Sequence, residues 1–161
     1  MVGVEPARNI AVLAEAAGIP TVPEFFDAAS AAAVVAGHGR AAVILGRHVF
    51  AHVDDLHEFV EAVKACLTDD GVFLVEVPYV GPLLDHLEFD TVYHEHLSYF
   101  AIEPLIRLFG RVGLEIFDVA RLTVHGGSLR VFVGRPGRHS VGPRHLRRCA
   151  ALDQLQLGDS S

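Results

Sequence analysis

The stretch Tyr93-His94-Glu95-His96-Leu97-Ser98-Tyr99 contains side chains that can move protons: two imidazoles, one carboxylate and two phenols. Imidazole titrates near neutral pH, and a neighbouring carboxylate can orient it or raise its basicity. The stretch could therefore supply a general base with supporting hydrogen-bond donors. The alternative is a polar loop whose histidines cap the neighbouring backbone.

A second pair of histidines, His48 and His52, follows an apolar segment at residues 41–45. Their spacing of four residues would place both imidazoles on one face of a helix, as in some metal sites. However, they follow a predicted strand, and the glutamate of the His-Glu-x-x-His pattern is missing. Cys66 and Cys149 are far apart in sequence, so neither a zinc site nor a disulfide framework is indicated. We therefore expect no metal ion.

The composition limits the class of protein. The 161 residues are 51% hydrophobic, which is enough for the core of one domain. A formal net charge of -7 argues against a nucleic-acid or anionic-membrane partner, because those partners select a basic face. No apolar run approaches the roughly 20 residues that span a bilayer, and no signal sequence is recognisable. We expect a cytoplasmic protein, and its oligomeric state stays open.

Strand and helix patterns alternate along the chain. Apolar periodicity and capping residues predict strands at 2–5, 21–26, 41–45, 72–77, 114–119 and 128–133, and helices at 6–17, 27–36, 55–67 and 103–109. This alternation is typical of a three-layer α/β domain with a mainly parallel sheet. The last strand is expected to be antiparallel to its neighbour. We expect residues 1–134 to form the domain and residues 135–161 to form an irregular, poorly ordered tail.

Polar side chains follow several of the predicted strands. Glu5 ends the first strand, His48 and His52 follow the third, and the histidine-rich loop follows Val77. The carboxyl ends of parallel strands lie along one edge of a doubly wound sheet, so we expect these groups to cluster there. Loops at this edge are where binding groups gather. This convergence favours a functional site over a polar loop.

Five sequence pieces occur in one order: Glu5 at a strand end, Arg-His-Val-Phe-Ala-His-Val at 47–53, Glu-Val-Pro at 76–78, Tyr-His-Glu-His-Leu-Ser-Tyr-Phe at 93–100 and His-Gly-Gly-Ser-Leu-Arg at 125–130. Together they resemble the S-adenosylmethionine-dependent C-methyltransferases that act on nucleotide-linked keto-deoxysugars. The resemblance implies a class I methyltransferase (Rossmann-like) sheet without its first strand and Gly-rich loop, which would precede Val2. We therefore expect a partial methyltransferase domain. The alternative is a non-catalytic remnant that cannot bind cofactor alone.

The resemblance also implies how a carbon would be methylated. A carbon beside a carbonyl is acidic enough for a base to form an enolate, which then attacks the sulfonium methyl group. By this resemblance His96 corresponds to the base of the family, and Glu95 and Tyr93 would orient His96 or form hydrogen bonds with the sugar. His52 would donate to the developing enolate oxygen as an oxyanion-type stabiliser.

Cofactor and substrate contacts follow from the same resemblance. Glu5 would accept hydrogen bonds from the ribose hydroxyls of S-adenosylmethionine, Phe26 would lie near the adenine and His48 near the bound cofactor. Contacts to the nucleotide-sugar are implied for His125, Ser128 and Arg130. Structural alternatives remain. Glu5 could be an acid at a helix N-terminus, His48 could pack beside its strand, and Gly126-Gly127 could form a simple turn.

Overall fold

The computed structural model describes residues 1–87, 92–124 and 127–140. The strands are β1 (Gly3–Val4), β2 (Thr21–Val22), β3 (Ala41–Arg47), β4 (Leu67–Pro78), β5 (Glu115–Leu122) and β6 (Ser128–Gly134). The helices are α1 (Arg8–Ala16), α2 (Ala28–His38), α3 (Leu56–Cys66), α4 (Val80–His86) and α5 (Ile102–Arg111). None of the described helices is long and apolar enough to cross a bilayer. Each predicted strand and helix has a counterpart, and α4 is an addition.

The strands form two sheets. β1 and β2 pair in parallel, and the second sheet has the order β3-β4-β6-β5. β3 runs parallel to β4, whereas β6 is antiparallel to both β4 and β5. The expectation of a mainly parallel arrangement with an antiparallel last strand is therefore confirmed. Within the described residues β1 and β3 each pair on one edge only.

Two predicted helix starts are confirmed by their capping contacts. Asp27 Oδ1 accepts a hydrogen bond from Ser30 N at 2.8 Å, and Ser30 Oγ accepts one from Asp27 N at 3.0 Å. Asp55 Oδ1 accepts from the backbone nitrogens of His57 and Glu58, both at 2.9 Å. These contacts satisfy N–H groups that have no acceptor within the helix. The two aspartates therefore fix where α2 and α3 begin.

The connection between α3 and β4 differs from the prediction. The sequence predicts a turn at Asp69-Asp70-Gly71, but these residues lie within β4, which starts directly after α3. The pairing of β3 with β4 is irregular there: Ala41 faces Leu67, and Val43 faces Val72. Residues 68–71 of β4 are therefore accommodated by a shift in the register between β3 and β4, and not by a separate turn.

The main hydrophobic core covers one face of the four-stranded sheet. Phe73, Val75 and Val77 of β4 are fully buried in one cluster with side chains of α3 and α5. On the opposite face, Val43 and Leu45 of β3 remain 65% and 60% exposed. Right-handed crossovers that move in one direction across a sheet place their helices on the same face, which explains the asymmetry. The expected second helical layer is therefore missing at these positions of the described structure.

An aromatic stack in this core holds the two segments that carry the predicted catalytic residues. The ring of Phe50 lies 5.3 Å from that of Phe100 and 6.2 Å from that of Phe109. All three rings are buried. Such stacked contacts combine large apolar burial with a defined geometry. The segment around His52 and the segment around His96 are therefore attached to the same part of the core.

Three charged residues lie side by side across β3, β4 and β6. Glu76 pairs in register with Arg47 on one side and with Arg130 on the other. Its carboxylate is buried: Oε2 accepts from Arg47 Nε at 2.9 Å, and Oε1 accepts from Arg130 Nε at 2.8 Å. Burial by itself would raise the pKa of Glu76. The hydrogen bonds and positive charges of Arg130 and Arg47 outweigh it and hold the pKa below its ordinary value of 4.5.

Glu76→Gln is expected to lower the free energy of unfolding by about 1 to 3 kcal/mol near neutral pH, because the amide offers an acceptor to one arginine and a donor to the other. Since the folded-state pKa is lowered, the contribution of Glu76 is complete above its ordinary pKa of 4.5. It is lost as the pH falls through the folded-state value. Urea unfolding of wild type and variant over this pH range measures the difference.

Glu103→Gln is the matched control, because it removes the same charge from an exposed ion pair with Arg107 at 3.2 Å. Exposed pairs of this kind contribute little, so its stability should stay close to that of wild type. A stability difference between wild type and Glu76→Gln that did not shrink on acidification would contradict the ion-pair account.

Candidate functional site

His52 lies on a single 3₁₀ turn, Phe50–His52, which follows β3. Its Nδ1 is 2.6 Å from the backbone oxygen of Glu95. A carbonyl oxygen only accepts, so Nδ1 is the protonated nitrogen and donates this bond. In the neutral ring Nε2 therefore carries the lone pair, and it donates only when His52 is an imidazolium. The contact fixes both the orientation and the tautomer of the imidazole.

His96 lies at the centre of a group of aromatic rings. Tyr93 Oη is 3.0 Å from His96 Nε2, and the two ring centroids are 4.2 Å apart. The ring of Tyr99 meets that of His96 edge-on at 5.8 Å, and the ring of His52 is 5.2 Å away. The structure thus brings together three of the four residues predicted to be catalytic. We refer to His52, Tyr93 and His96 as the imidazole cluster.

The fourth of these residues, Glu95, joins the imidazole cluster through its backbone. Its carbonyl oxygen accepts the bond from His52, and the residue as a whole is exposed. A tight turn places it there, because His96 N donates to the carbonyl oxygen of Tyr93 at 3.0 Å. The contact observed for Glu95 is therefore with His52, through the main chain, whereas the resemblance implies that Glu95 orients His96 or bonds the sugar.

Backbone hydrogen bonds attach the segment of the imidazole cluster to the rest of the fold. Leu97 N donates to Ala51 O at 2.9 Å, next to His52. Val80 N donates to Phe100 O at 3.0 Å, three residues further along the chain. These bonds involve main-chain atoms, so they hold the segment whatever the side chains of the cluster do. The cluster is therefore built on a loop that is fixed at Leu97 and Phe100, directly after His96.

Glu5 directly follows β1 and precedes α1. Its Oε1 accepts a hydrogen bond from the backbone nitrogen of Ala7 at 2.9 Å, as expected of an acid at a helix N-terminus. A carboxylate has a second oxygen and further lone pairs, so Glu5 can still accept from a ribose hydroxyl. The structural and the cofactor-binding interpretations of Glu5 are therefore compatible, and the residue fits the predicted cofactor.

Phe26 and His48 follow β2 and β3. The ring of Phe26 meets that of Phe59 edge-on at 5.0 Å and is partly buried against the core. His48 adopts a backbone φ of 53°, and its backbone nitrogen donates to Glu76 O at 3.1 Å. Glu5, Phe26 and His48 therefore each come after the carboxyl end of a parallel strand. This placement fits a cofactor bound across those ends.

His48 and His52, the pair considered as an alternative metal site, make different contacts. His48 Nε2 lies 3.6 Å from Glu76 Oε2, whereas His52 Nδ1 donates to the carbonyl of Glu95. The two imidazoles thus have separate partners on different elements. Across residues 1–87, 92–124 and 127–140, no group of three or more potential ligands is arranged to hold an ion.

The predicted substrate contacts have different surroundings. Arg130 binds Glu76, with Nη2 2.6 Å from Oε1, and its side chain is 38% exposed. Ser128 is buried, and its Oγ donates to the carbonyl oxygen of Val124 at 3.1 Å. His125 lies outside the described residues. Of the two described residues, Arg130 is the one with donors at the protein surface.

Glu76 and Arg47 are polar residues of this region that sequence reasoning did not select. Their signal is a carboxylate inside the apolar run at 72–77, because a buried charge requires a counter-charge. Arg47 supplies one of the two counter-charges from the end of β3. Which cations pair with Glu76 depends on the strand register, and the sequence alone does not reveal that register.

Comparison with known proteins identifies the relatives of this chain. Residues 1–119 match the family of the methyltransferase domain. The C-methyltransferase NovU of Streptomyces niveus is 44% identical over 144 residues, which cover 89% of this chain and 34% of NovU. The chain therefore spans about a third of the length of that curated relative.

Solved structures show the same fold at low sequence identity. A SAM-dependent methyltransferase of Anabaena variabilis is 13% identical with a TM-score of 0.62, over 83% of this chain and 67% of that one. A SAM-dependent methyltransferase of Thermotoga maritima, possibly a histamine N-methyltransferase, is 18% identical with a TM-score of 0.56, over 81% and 72%. The expected class I methyltransferase fold is therefore confirmed. Since the family match spans 119 of 161 residues, the chain belongs to the methyltransferase domain family.

Proposed function

We propose that this chain is part of an S-adenosylmethionine-dependent C-methyltransferase that acts on a nucleotide-linked keto-deoxysugar. The observation that carries the proposal is the imidazole cluster, which gathers two imidazoles and a phenol after the ends of the sheet strands. Methylating carbon requires a base, and this cluster contains groups suited to remove a proton near neutral pH. The 44% identity to a C-methyltransferase supports the same reaction class.

His96 is the proposed base. Its contact with Tyr93 has two possible directions, because a phenol can donate or accept. When Tyr93 donates to Nε2, the proton of the neutral imidazole is on Nδ1; when Nε2 donates to Tyr93, Nδ1 carries the lone pair. When Nε2 donates, the lone pair of Nδ1 can take the proton beside the substrate carbonyl; when Tyr93 donates, the lone pair of Nε2 already accepts from Tyr93, so His96 acts as the base in the arrangement in which Nε2 donates. Removing that proton generates the enolate.

His52 is proposed to stabilise the enolate oxygen as it develops negative charge. Its Nδ1 proton is committed to the carbonyl of Glu95, so donation to the substrate has to come from Nε2. That nitrogen carries a proton only in the imidazolium form. In that form His52 would present a positive charge and one N–H donor to the substrate, which favours a developing oxyanion.

Glu5, Phe26 and His48 are the residues proposed to hold S-adenosylmethionine. When bound, the cofactor supplies an electrophilic methyl group on a sulfonium centre. Glu5 would accept from the ribose hydroxyls with the carboxylate capacity that Ala7 does not use. The nucleotide-sugar would be contacted by Arg130, with His125 and Ser128 as the further proposed contacts. We propose a cytoplasmic location, since nucleotide-linked sugars are intracellular metabolites.

Isothermal titration with S-adenosylhomocysteine tests whether the chain binds cofactor. The proposal expects saturable heat for wild type and an affinity about tenfold lower for Glu5→Gln, because the amide is a weaker acceptor for paired hydroxyls. Glu15→Gln removes the same charge from an exposed position of α1 and should leave the affinity unchanged. Wild type without detectable heat at high ligand concentration would favour the alternative of a non-catalytic remnant.

Hydrogen exchange at the substrate carbon tests the base. With a nucleotide-linked keto-deoxysugar in deuterium oxide, wild type should exchange the hydrogen beside the carbonyl, and His96→Ala should lose most of this exchange while still binding cofactor. Proton NMR of the sugar measures the rate. His57→Ala, an exposed histidine of α3, is the control. Retained exchange in His96→Ala would move the base to Tyr93 or His52.

A further inference from the structure

The row of Arg47, Glu76 and Arg130 contains more positive charge than the carboxylate needs. A single bidentate arginine can pair fully with one carboxylate. Here each oxygen has its own arginine: Oε2 is 2.9 Å from Arg47 Nε, and Oε1 is 2.6 Å from Arg130 Nη2. The row therefore has one surplus positive charge, in a protein whose formal net charge is -7. A local excess of this sign is an attractive position for an anion.

The contacts with Glu76 occupy only part of each guanidinium. Arg47 directs its Nε–H to Glu76, so its two terminal amino groups lie outside this contact. Its side chain is 61% exposed. Arg130 uses Nε and Nη2, and its side chain is 38% exposed. Both arginines thus present N–H donors to solvent while their inner nitrogens are anchored on a buried group.

The row lies at the same end of the sheet as the imidazole cluster. Arg47 is the last residue of β3 and Glu76 is near the end of the parallel strand β4. β6 is antiparallel, so Arg130, near its beginning, reaches the same edge. His52 is the last residue of the 3₁₀ turn Phe50–His52, which follows Arg47 in the chain. An anion bound to the arginines would therefore lie at the edge proposed for the reaction.

We propose that Arg47 and Arg130, held by Glu76, form a binding site for an anionic group with paired oxygens, a phosphate or a carboxylate. Glu76 is a positioning residue: it fixes the two guanidinium groups in advance, so they lose less conformational entropy when the anion binds. The identity of the anion rests on the proposed function. It is either the diphosphate of the nucleotide-sugar or the carboxylate of S-adenosylmethionine.

Calorimetric titration with inorganic pyrophosphate, and separately with S-adenosylhomocysteine, tests this site. Arg47→Gln and Arg130→Gln should each weaken binding of the matching ligand by about tenfold, because each removes charge-assisted hydrogen bonds. Arg107→Gln removes the same charge from an exposed position of α5 and should change either affinity by less than about twofold. Circular dichroism verifies that the variants are folded. If Arg130→Gln unfolds, the comparison of Arg47→Gln with wild type tests the site, because Arg47 is exposed.

The pattern of losses separates the two sources of the anion. Weaker binding of pyrophosphate alone supports the site and assigns it to the diphosphate, whereas weaker binding of S-adenosylhomocysteine alone supports it and assigns it to the carboxylate. The proposal is overturned if neither variant differs from Arg107→Gln for either ligand, or if wild type binds neither. If pyrophosphate binding depends on the arginines but S-adenosylhomocysteine does not bind at all, the result contradicts the proposed cofactor and still supports the anion site.

Discussion

The imidazole cluster is positioned by the packing of Phe50 against Phe100 and Phe109 in the core. Burying one such ring stabilises the fold by about 1.5 to 3 kcal/mol, whereas a single hydrogen bond within the cluster contributes about 1 kcal/mol. The aromatic packing therefore outweighs the polar contacts that it supports. Phe50 lies two residues before His52, and Phe100 ends the segment that contains His96. The core fixes both segments, and the polar side chains of His52 and His96 therefore meet where the two segments lie side by side.

The charged row imposes a second constraint on the same short segment. Arg47 pairs with Glu76, the side chain of Phe50 enters the core and His52 donates to the carbonyl of Glu95. Three successive anchors of different chemistry thus fix residues 47–52. A buried carboxylate without partners would be costly, so the register of β3, β4 and β6 and the ion pairs depend on one another. The pairing of the strands and the positions of the polar groups at this edge of the sheet are therefore fixed together.

Much of this arrangement follows from the sequence, because it depends on local patterns. Asp27 and Asp55 predict their helix starts, and the alternation of elements predicts that polar strand ends converge. The tautomer of His52 could not be predicted, since its acceptor is a main-chain oxygen far away in sequence. Neither could the arginine partners of Glu76, which depend on register, nor the hydrogen bond that directs Ser128 to Val124. The exposed face of β3 reflects crossover direction, which residue patterns do not encode.

The preorganisation of His52, Tyr93 and His96 as one cluster rests on the contacts of His52 with Glu95 and of His96 with Tyr93. Long-range proton–nitrogen NMR of the protein with labelled histidines tests it without requiring activity. We expect a protonated Nδ1 for neutral His52, and nuclear Overhauser contacts from the ring of His96 to the rings of both His52 and Tyr93. A neutral His52 protonated at Nε2, together with no contact between these rings, would contradict it.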